Sequence, residues 1–140
     1  MAGGASMFPE RAVEEVKELA ARGVPIELTE LNGQCYALVQ GVKVSTPPWG
    51  KPSLDILVAI PAAYDAADLD AFYVEYPCVF NNGEHPRVQG QFIEHLGRKW
   101  RLVSWHYADG RPWIRGQDTL ETHIEHCHGF FLHRGAKNER

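Results

Sequence analysis

The stretch Trp100-Arg101-Leu102-Val103-Ser104-Trp105-His106 is the segment around which the rest of the chain is arranged. Its mixture of apolar and polar residues predicts a strand, in which side chains alternate between the two faces. Ser104 and His106 are two residues apart, so a strand would present the hydroxyl and the imidazole on the same face. The stretch therefore predicts a candidate site at the end of a strand.

A basic loop and a helix follow this strand. Residues 110–116, with two glycines and a proline, predict turns, and we predict a helix over 118–132. Asp118 and Glu121 have the spacing of a capping box, in which two side chains satisfy free N–H groups at a helix start. A buried stripe of this helix is predicted from apolar residues at helical spacing: Leu120, Ile124, Cys127 and Phe131.

Upstream, the pattern predicts one helix and a series of strands. Proline and acid at its start and glycine at its end predict a helix over 8–23. Its predicted buried stripe consists of Val13, Val16 and Ala20. Strands are predicted at 25–31, 35–39, 54–60 and 71–74, with an Asn32-Gly33 hairpin turn, a loop at 77–90, and a hairpin of 90–94 with 98–106 through Leu96-Gly97. This order predicts an α+β fold: an N-terminal helix, an antiparallel meander and a C-terminal helix.

Length and composition limit the class of protein. The 140 residues predict one domain over 8–133, preceded by a disordered start at 1–7 and followed by a polar tail at 134–140. A net charge of -4 without a long basic run argues against nucleic acid as a partner. The longest apolar run, 56–63, is too short to cross a membrane, and no signal-peptide pattern is present, so we expect a cytoplasmic protein. The three cysteines are expected to be reduced thiols.

Four stretches resemble the bacterial branch of the ubiquitin-conjugating-enzyme superfamily known as prokaryotic family E. These are Ile60-Pro61-x-x-Tyr64, residues 69–74, Trp100-x-x-x-Ser104-Trp105-His106 and Trp113-x-x-Gly116-x-Asp118-Thr119-Leu120. The resemblance covers about residues 8–133 and is strongest over 54–124. It implies the ubiquitin-conjugating-enzyme fold. It also implies a role in a bacterial modification pathway, such as the pathways of antiphage defence.

The same resemblance implies a carrier. Such a protein accepts a ubiquitin-like protein from an activating enzyme and passes it to an amine of a target protein. No small-molecule cofactor is implied, because the activating enzyme uses the ATP. The N-terminal helix and the loop 46–51 are the docking surfaces that the resemblance implies.

The chain departs from the superfamily pattern at the nucleophile. The usual conjugating enzyme has a His-Pro-Asn turn followed closely by a catalytic cysteine. Here the turn is His85-Pro86-Arg87, and no cysteine occurs between Cys78 and Cys127. By alignment with the family, the nucleophile position falls near Ser104. The resemblance implies transfer of a carrier protein but leaves the nucleophile open. We predict that Ser104 carries the modifier, as an oxyester instead of a thioester.

A serine nucleophile needs help from its surroundings. Its hydroxyl is a weak nucleophile at neutral pH unless a base removes the proton, and His106 is the candidate base or transition-state stabiliser. Arg111 or Arg115, together with N–H groups at the start of the last helix, are candidates for stabilising the oxyanion. The alternative is an ordinary surface strand with a solvated basic loop.

Three alternatives stay open. Cys78 follows Tyr76-Pro77 at a strand end, is expected to be partly exposed, and is the alternative nucleophile; Cys127 is expected to be buried and inert. The lack of the family cysteine and asparagine also allows a non-catalytic binding module. A zinc-binding structural domain is the third alternative, since the last helix is rich in possible ligands, namely His123, Glu125, His126, Cys127, His128 and His133. A polar flank beside the core stripe explains these residues better, and we predict no metal site.

Overall fold

The computed structural model describes residues 8–70, 72–88, 90–106 and 112–132. The predicted disordered start (1–7) and polar tail (134–140) lie outside the described residues. The elements are α1 Glu10–Ala21, β1 Ile26–Leu31, β2 Gln34–Lys43, β3 Ser53–Ile60, β4 Phe72–Tyr76, β5 Phe92–His95, β6 Arg98–Val103 and α2 Leu120–Leu132. The predicted α+β class, with an N-terminal and a C-terminal helix around antiparallel strands, is confirmed.

The six strands form one antiparallel sheet in the order β1-β2-β3-β4-β6-β5. Both predicted hairpins are present. Asn32 and Gly33 have φ angles of 52° and 83°, and Leu96 and Gly97 have φ angles of 57° and 77°. Two successive positive φ angles match the twist of the flanking strands, which is why Asn-Gly predicts such a turn.

The sheet curls until its two edge strands meet. Thr29 on β1 and His95 on β5 are hydrogen-bonded at 2.8 Å, although these strands lie at opposite ends of the strand order. The concave face encloses a small apolar cluster of Tyr36, Leu38, Leu57, Tyr73 and Trp100. Trp100 is fully buried there, and its indole N–H donates to the His95 carbonyl oxygen at 2.9 Å. The curl therefore buries one face of β6 without a helix.

The two helices cover the other face and form the main core with it. On α1 the buried residues are Ala12, Val16 and Leu19, while Ala20 is exposed and Val13 is half-buried. The predicted stripe was therefore correct at Val16 and wrong at Ala20. Ala12 and Leu19 are four and three residues from Val16, so they lie on the same side of the helix.

The last helix buries a wider stripe than predicted. Leu120, Cys127 and Phe131 are buried as expected, whereas Ile124 is half-buried. His123 and Phe130 complete the buried face, each being at most 1% exposed. The sequence does not predict the burial of His123, because a histidine among polar residues is not typical of a core position.

Helix α2 begins at Leu120, two residues after the predicted cap Asp118. Thr119 and Thr122 bond each other's backbone N–H groups, at 2.9 Å to Thr122 Oγ1 and 3.4 Å to Thr119 Oγ1. The predicted capping box of Asp118 with Glu121 is therefore wrong. Asp118 instead accepts the Ile114 N–H at 2.6 Å, and Glu121 pairs with Arg22 of α1 at 2.9 Å.

Glu15 joins α1 to the Ile-Pro-x-x-Tyr connection and to α2. One carboxylate oxygen accepts the Tyr64 hydroxyl at 2.7 Å and the Leu120 backbone N–H at 3.0 Å, and the other accepts Arg11 Nε at 2.7 Å. Burial, with help from Glu15, raises the pKa of Tyr64, so its hydroxyl keeps the proton that it donates. A negative charge at a helix N-terminus is also favourable to the helix dipole.

Candidate functional site

The candidate site lies where β6 ends beside the start of β4. The two strands are antiparallel, and Phe72 and Val103 are the last register partners at this end. Residues just before Phe72 and just after Val103 are therefore brought to the same end of the strand pair. This register brings the 68–70 segment to the segment that contains Ser104 and His106.

Ser104 is the first residue after β6 and is exposed. Its backbone N–H donates to the Arg87 carbonyl oxygen at 2.8 Å, and its own carbonyl oxygen accepts from the Arg87 guanidinium at 3.2 Å. Arg87 therefore holds the Ser104 backbone on both sides while the side chain faces solvent. No local sequence pattern predicts this role of Arg87.

The strand predicted to run through His106 ends earlier, at Val103. Trp105 N–H then donates to the Val103 carbonyl oxygen at 3.2 Å, which closes a tight turn instead of extending the ladder. Ser104 and His106 are both exposed, but no hydrogen bond joins them in the part of the chain that the structure describes. The prediction that a strand face would align them was wrong.

His106 is paired with Asp70, a residue that the sequence analysis did not single out. His106 Nδ1 is 3.2 Å from each of the two carboxylate oxygens of Asp70. The two residues are 36 positions apart, so only the β4–β6 register reveals the pair. An Asp-His pair is an arrangement that selects one histidine tautomer.

Arg115 lies next to the same segment. Its guanidinium is 3.8 Å from Asp68, with both side chains largely exposed. The predicted site residues His106 and Arg115 are thus each paired with an aspartate on either side of the buried Leu69. Arg111 lies outside the described residues.

Three N–H groups at the start of α2 are not available as the predicted oxyanion donors. The N–H groups of Asp118, Thr119 and Leu120 already donate to Ile114, Thr122 and Glu15 respectively, at 2.8 to 3.0 Å. A buried N–H that already has an acceptor is not available to a developing oxyanion. Among the groups named from the sequence, this leaves Arg115 as the described candidate.

The His85-Pro86-Arg87 turn supports the Ser104 segment through the buried His85 ring. His85 is 2% exposed, and its ring stacks on Trp49 with an interplanar angle of 2°. His85 Nδ1 accepts the Arg87 backbone N–H at 3.0 Å, and the His85 carbonyl oxygen accepts from Val88 at 2.9 Å. The turn therefore fixes Arg87, which in turn fixes Ser104.

The three cysteines are all buried. Cys78 is 7% exposed, contrary to the expectation of partial exposure, and burial raises its pKa to about 11. Burial likewise raises the pKa of Cys35 to about 11 and that of Cys127 well above its ordinary value. Because the thiolate is the reactive form, each thiol is a poor nucleophile at neutral pH.

The histidine-rich helix does not gather a metal site among the described residues. No group of three or more His, Cys, Asp or Glu side chains there is placed to hold an ion. His123 is in the core, His128 is hydrogen-bonded at 2.8 Å to the Lys43 carbonyl oxygen, and His133 lies outside the described residues. The zinc alternative therefore has no geometric support in this part of the chain.

The two expected docking surfaces differ in character. A groove of about 580 Å³ lies between α1 and the start of α2 and is lined by charged residues that include Arg11, Glu18 and Arg22. In the loop 46–51, Trp49 is buried at 2% exposure, so only its neighbours are available to a partner. Lys51 is one of these, and it pairs with Glu75 at 2.8 Å.

Comparison with known proteins gives one match. No curated protein and no solved structure matches the chain. Within the described residues, no helix is long and apolar enough to cross a membrane. The model of one family, described as Prokaryotic E2 family E, matches residues 12–131, a span that contains Ser104, His106 and Arg115. The chain therefore belongs to prokaryotic E2 family E.

Proposed function

We propose that this protein has a ubiquitin-conjugating-enzyme fold and is a carrier in a bacterial ubiquitin-like modification pathway. Membership of the E2 family suggests a role of the ubiquitin-conjugation type. The observation that carries the finer proposal is the arrangement around Ser104. Ser104 is exposed, its backbone is held by Arg87, and the His106–Asp70 pair begins two residues away.

In the first step, Ser104 accepts the modifier. Ser104 Oγ attacks the carbonyl carbon of the modifier's C-terminal carboxyl group, which the activating enzyme presents in activated form. The Oγ–C bond forms and the bond to the activating enzyme's leaving group breaks. His106 takes the hydroxyl proton and returns it to that leaving group, and a bridging water molecule or a rotation of the Ser104 side chain connects the two.

In the second step, the modifier leaves. An amine nitrogen of the target attacks the ester carbonyl, the N–C bond forms, and the Oγ–C bond breaks. The amine loses a proton through His106, and Ser104 Oγ regains one. An oxyester reacts with amines less readily than a thioester, so the developing oxyanion needs electrostatic stabilisation, which we assign to Arg115.

The burial of the cysteines supports serine over cysteine. A thioester on Cys78 would require the core beneath the 77–80 segment to open, because the Cys78 side chain packs into the main cluster. Ser104 needs no such opening. Arg115 also lies near the Ser104 segment, because Arg115 contacts Asp68 and His106 contacts Asp70 in the same short 68–70 segment.

A non-catalytic binding module is the second candidate. It is favoured by the lack of a Ser104–His106 hydrogen bond in the described residues and by the occupied N–H groups at the start of α2. In that case the same surface would hold a ubiquitin-like protein or an activating enzyme without a covalent bond.

Intact-mass measurement distinguishes the two. The protein is incubated with its activating enzyme, the modifier and ATP. We expect an adduct that resists thiol reductant and is cleaved by hydroxylamine. No adduct with binding retained would favour the binding module, and an adduct cleaved by reductant would assign the nucleophile to a cysteine.

Two variants sharpen the assignment. Ser104→Ala is expected to abolish the adduct and keep binding, while Ser104→Cys is expected to give an adduct that reductant cleaves. Ser53→Ala, at the start of β3, is the matched control and is expected to behave as the wild type. An adduct of unchanged yield on Ser104→Ala would contradict the proposal.

A further inference from the structure

The 68–70 segment contacts two of the proposed site residues through side chains of the same type. Leu69 is fully buried in the main core, and Asp68 and Asp70 are exposed on either side of it. Asp70 contacts His106 through both of its carboxylate oxygens, at 3.2 Å each, and Asp68 contacts Arg115 at 3.8 Å. The buried leucine therefore anchors a short segment that holds both side chains.

The position of Asp70 is set by the sheet and not by the ion pair. Asp70 precedes β4 by two residues and His106 follows β6 by three, at the end of the strand pair where Phe72 faces Val103. Ion pairs between exposed side chains contribute little to stability, so this contact has little value as a stabilising element. The consequence of the contact that matters for the site is that it orients the His106 ring.

We propose that Asp70 is a positioning residue that fixes the orientation and the tautomer of His106. A carboxylate can only accept, so Nδ1 of the neutral ring carries the hydrogen and Nε2 carries the lone pair. No group among the described residues is hydrogen-bonded to Nε2. Nε2 is thus the nitrogen available to take the proton from Ser104, and this inference rests on the proposed function.

Nuclear magnetic resonance of the ring nitrogens tests the contact directly. In long-range ¹H–¹⁵N spectra at a pH where the ring is neutral, the wild type is expected to show hydrogen on Nδ1 of His106. Asp70→Ala is expected to shift the ring to the Nε2–H form, and Asp70→Glu to restore part of the Nδ1–H form. Asp68→Ala removes the neighbouring acid but not the Nδ1 partner, so it is expected to leave the tautomer as in the wild type.

The rate of ester formation on Ser104 tests the positioning role of Asp70 in the reaction. We expect Asp70→Ala to slow adduct formation by about 10-fold, which is part of the ~10²–10⁴-fold that a general base contributes. Asp70→Glu is expected to recover part of the rate together with the tautomer. A merely structural residue would not make tautomer and rate change together.

The two experiments distinguish failure of the Asp70 positioning role from failure of the proposed carrier function. A wild-type ring with hydrogen on Nε2, or a tautomer unchanged in Asp70→Ala, overturns the positioning role. An adduct that Asp70→Ala forms as fast as the wild type overturns it as well, while leaving the proposed function intact. Absence of any adduct on the wild type overturns the proposed function, and with it the role of Asp70 in that reaction.

Discussion

At the scale of single residues, His123 shows how burial changes a titratable group. It is fully buried on α2, and its ring lies 6.1 Å from that of Trp113 and 5.8 Å from that of His126. Burial, together with the nearby His126, lowers the pKa of His123 from 6.5 to about 3, although Asp118 acts in the opposite direction. The residue is thus a neutral core side chain at physiological pH.

This burial predicts a loss of stability in mild acid. Below pH 6.5 the unfolded chain binds a proton at His123 that the folded chain does not bind, until the pH approaches 3. Between pH 7.5 and pH 5 we expect the free energy of unfolding to fall by about 2 kcal/mol from this residue. Urea unfolding measured across that range tests it, with His123→Leu as the variant that removes the titration.

The two proteins are compared by the slope of the free energy of unfolding against pH, and not by their absolute stability. His123→Leu is expected to give a flatter dependence on pH over this interval, whatever its stability at pH 7.5. An equal slope in both proteins, or a His123 ring resonance that titrates near pH 6.5, would contradict the predicted burial of the neutral ring.

Sequence spacing finds residues that are neighbours in the chain, and it misses partners that the fold supplies. Ser104, His106 and Arg115 were named from local patterns and a family resemblance. Asp70 is 36 positions from His106, and Arg87 is 17 positions from Ser104. Both contacts depend on strand register and on the His-Pro turn, which no local pattern predicts.

At the scale of elements, the helices and most strands followed from periodicity, and the errors are at their ends. Strand β6 is predicted to run through His106 but ends at Val103, where the Trp105 N–H donates to the Val103 carbonyl oxygen and closes a turn. The capping box moved to Thr119 and Thr122 because Asp118 is engaged with Ile114. Where an element ends therefore depends on particular side-chain and backbone contacts, which hydrophobic periodicity does not show.

Glu15 is the side chain that joins three elements, and its loss is expected to be costly. Glu15→Ala removes the acceptor of the Tyr64 hydroxyl, of the Leu120 N–H and of Arg11 Nε. Because two of these donors are half-buried or buried, we expect a loss of about 2–3 kcal/mol in the free energy of unfolding. Urea denaturation measures it.

Glu14 provides the matched control. It is the neighbouring acid on the exposed side of α1, so Glu14→Ala is expected to change the stability by less than about 0.5 kcal/mol. A Glu15→Ala variant as stable as Glu14→Ala would show that the three contacts contribute little.

At the scale of the whole molecule, two apolar layers cover the two faces of one curled sheet. The larger layer, under the helices, contains all three cysteines, and the smaller one is enclosed by the curl itself. This arrangement leaves the site at the open end of the β4–β6 pair, where the polar side chains collect. The sequence predicted the α+β order, but not the curl, because the Thr29–His95 contact joins strands 66 residues apart.

The burial of all three cysteines predicts slow thiol chemistry in the native protein. With pKa values raised to about 11, Cys35 and Cys78 carry little thiolate at pH 8. We expect a thiol reagent at pH 8 to react about 100-fold slower with the folded chain than with the urea-unfolded chain. Rapid labelling of one thiol in the folded wild type, lost in Cys78→Ser, would return Cys78 to consideration as the nucleophile.

The most direct test of the central claim is to map the residue that carries the modifier. The adduct formed with the activating enzyme, modifier and ATP is digested with trypsin under conditions that preserve esters, and its peptides are sequenced by mass spectrometry. We expect the modifier remnant on the peptide 102–115, which holds Ser104 and no cysteine, with fragment ions placing it on Ser104. A remnant on the peptide 44–87, which contains Cys78, would contradict it.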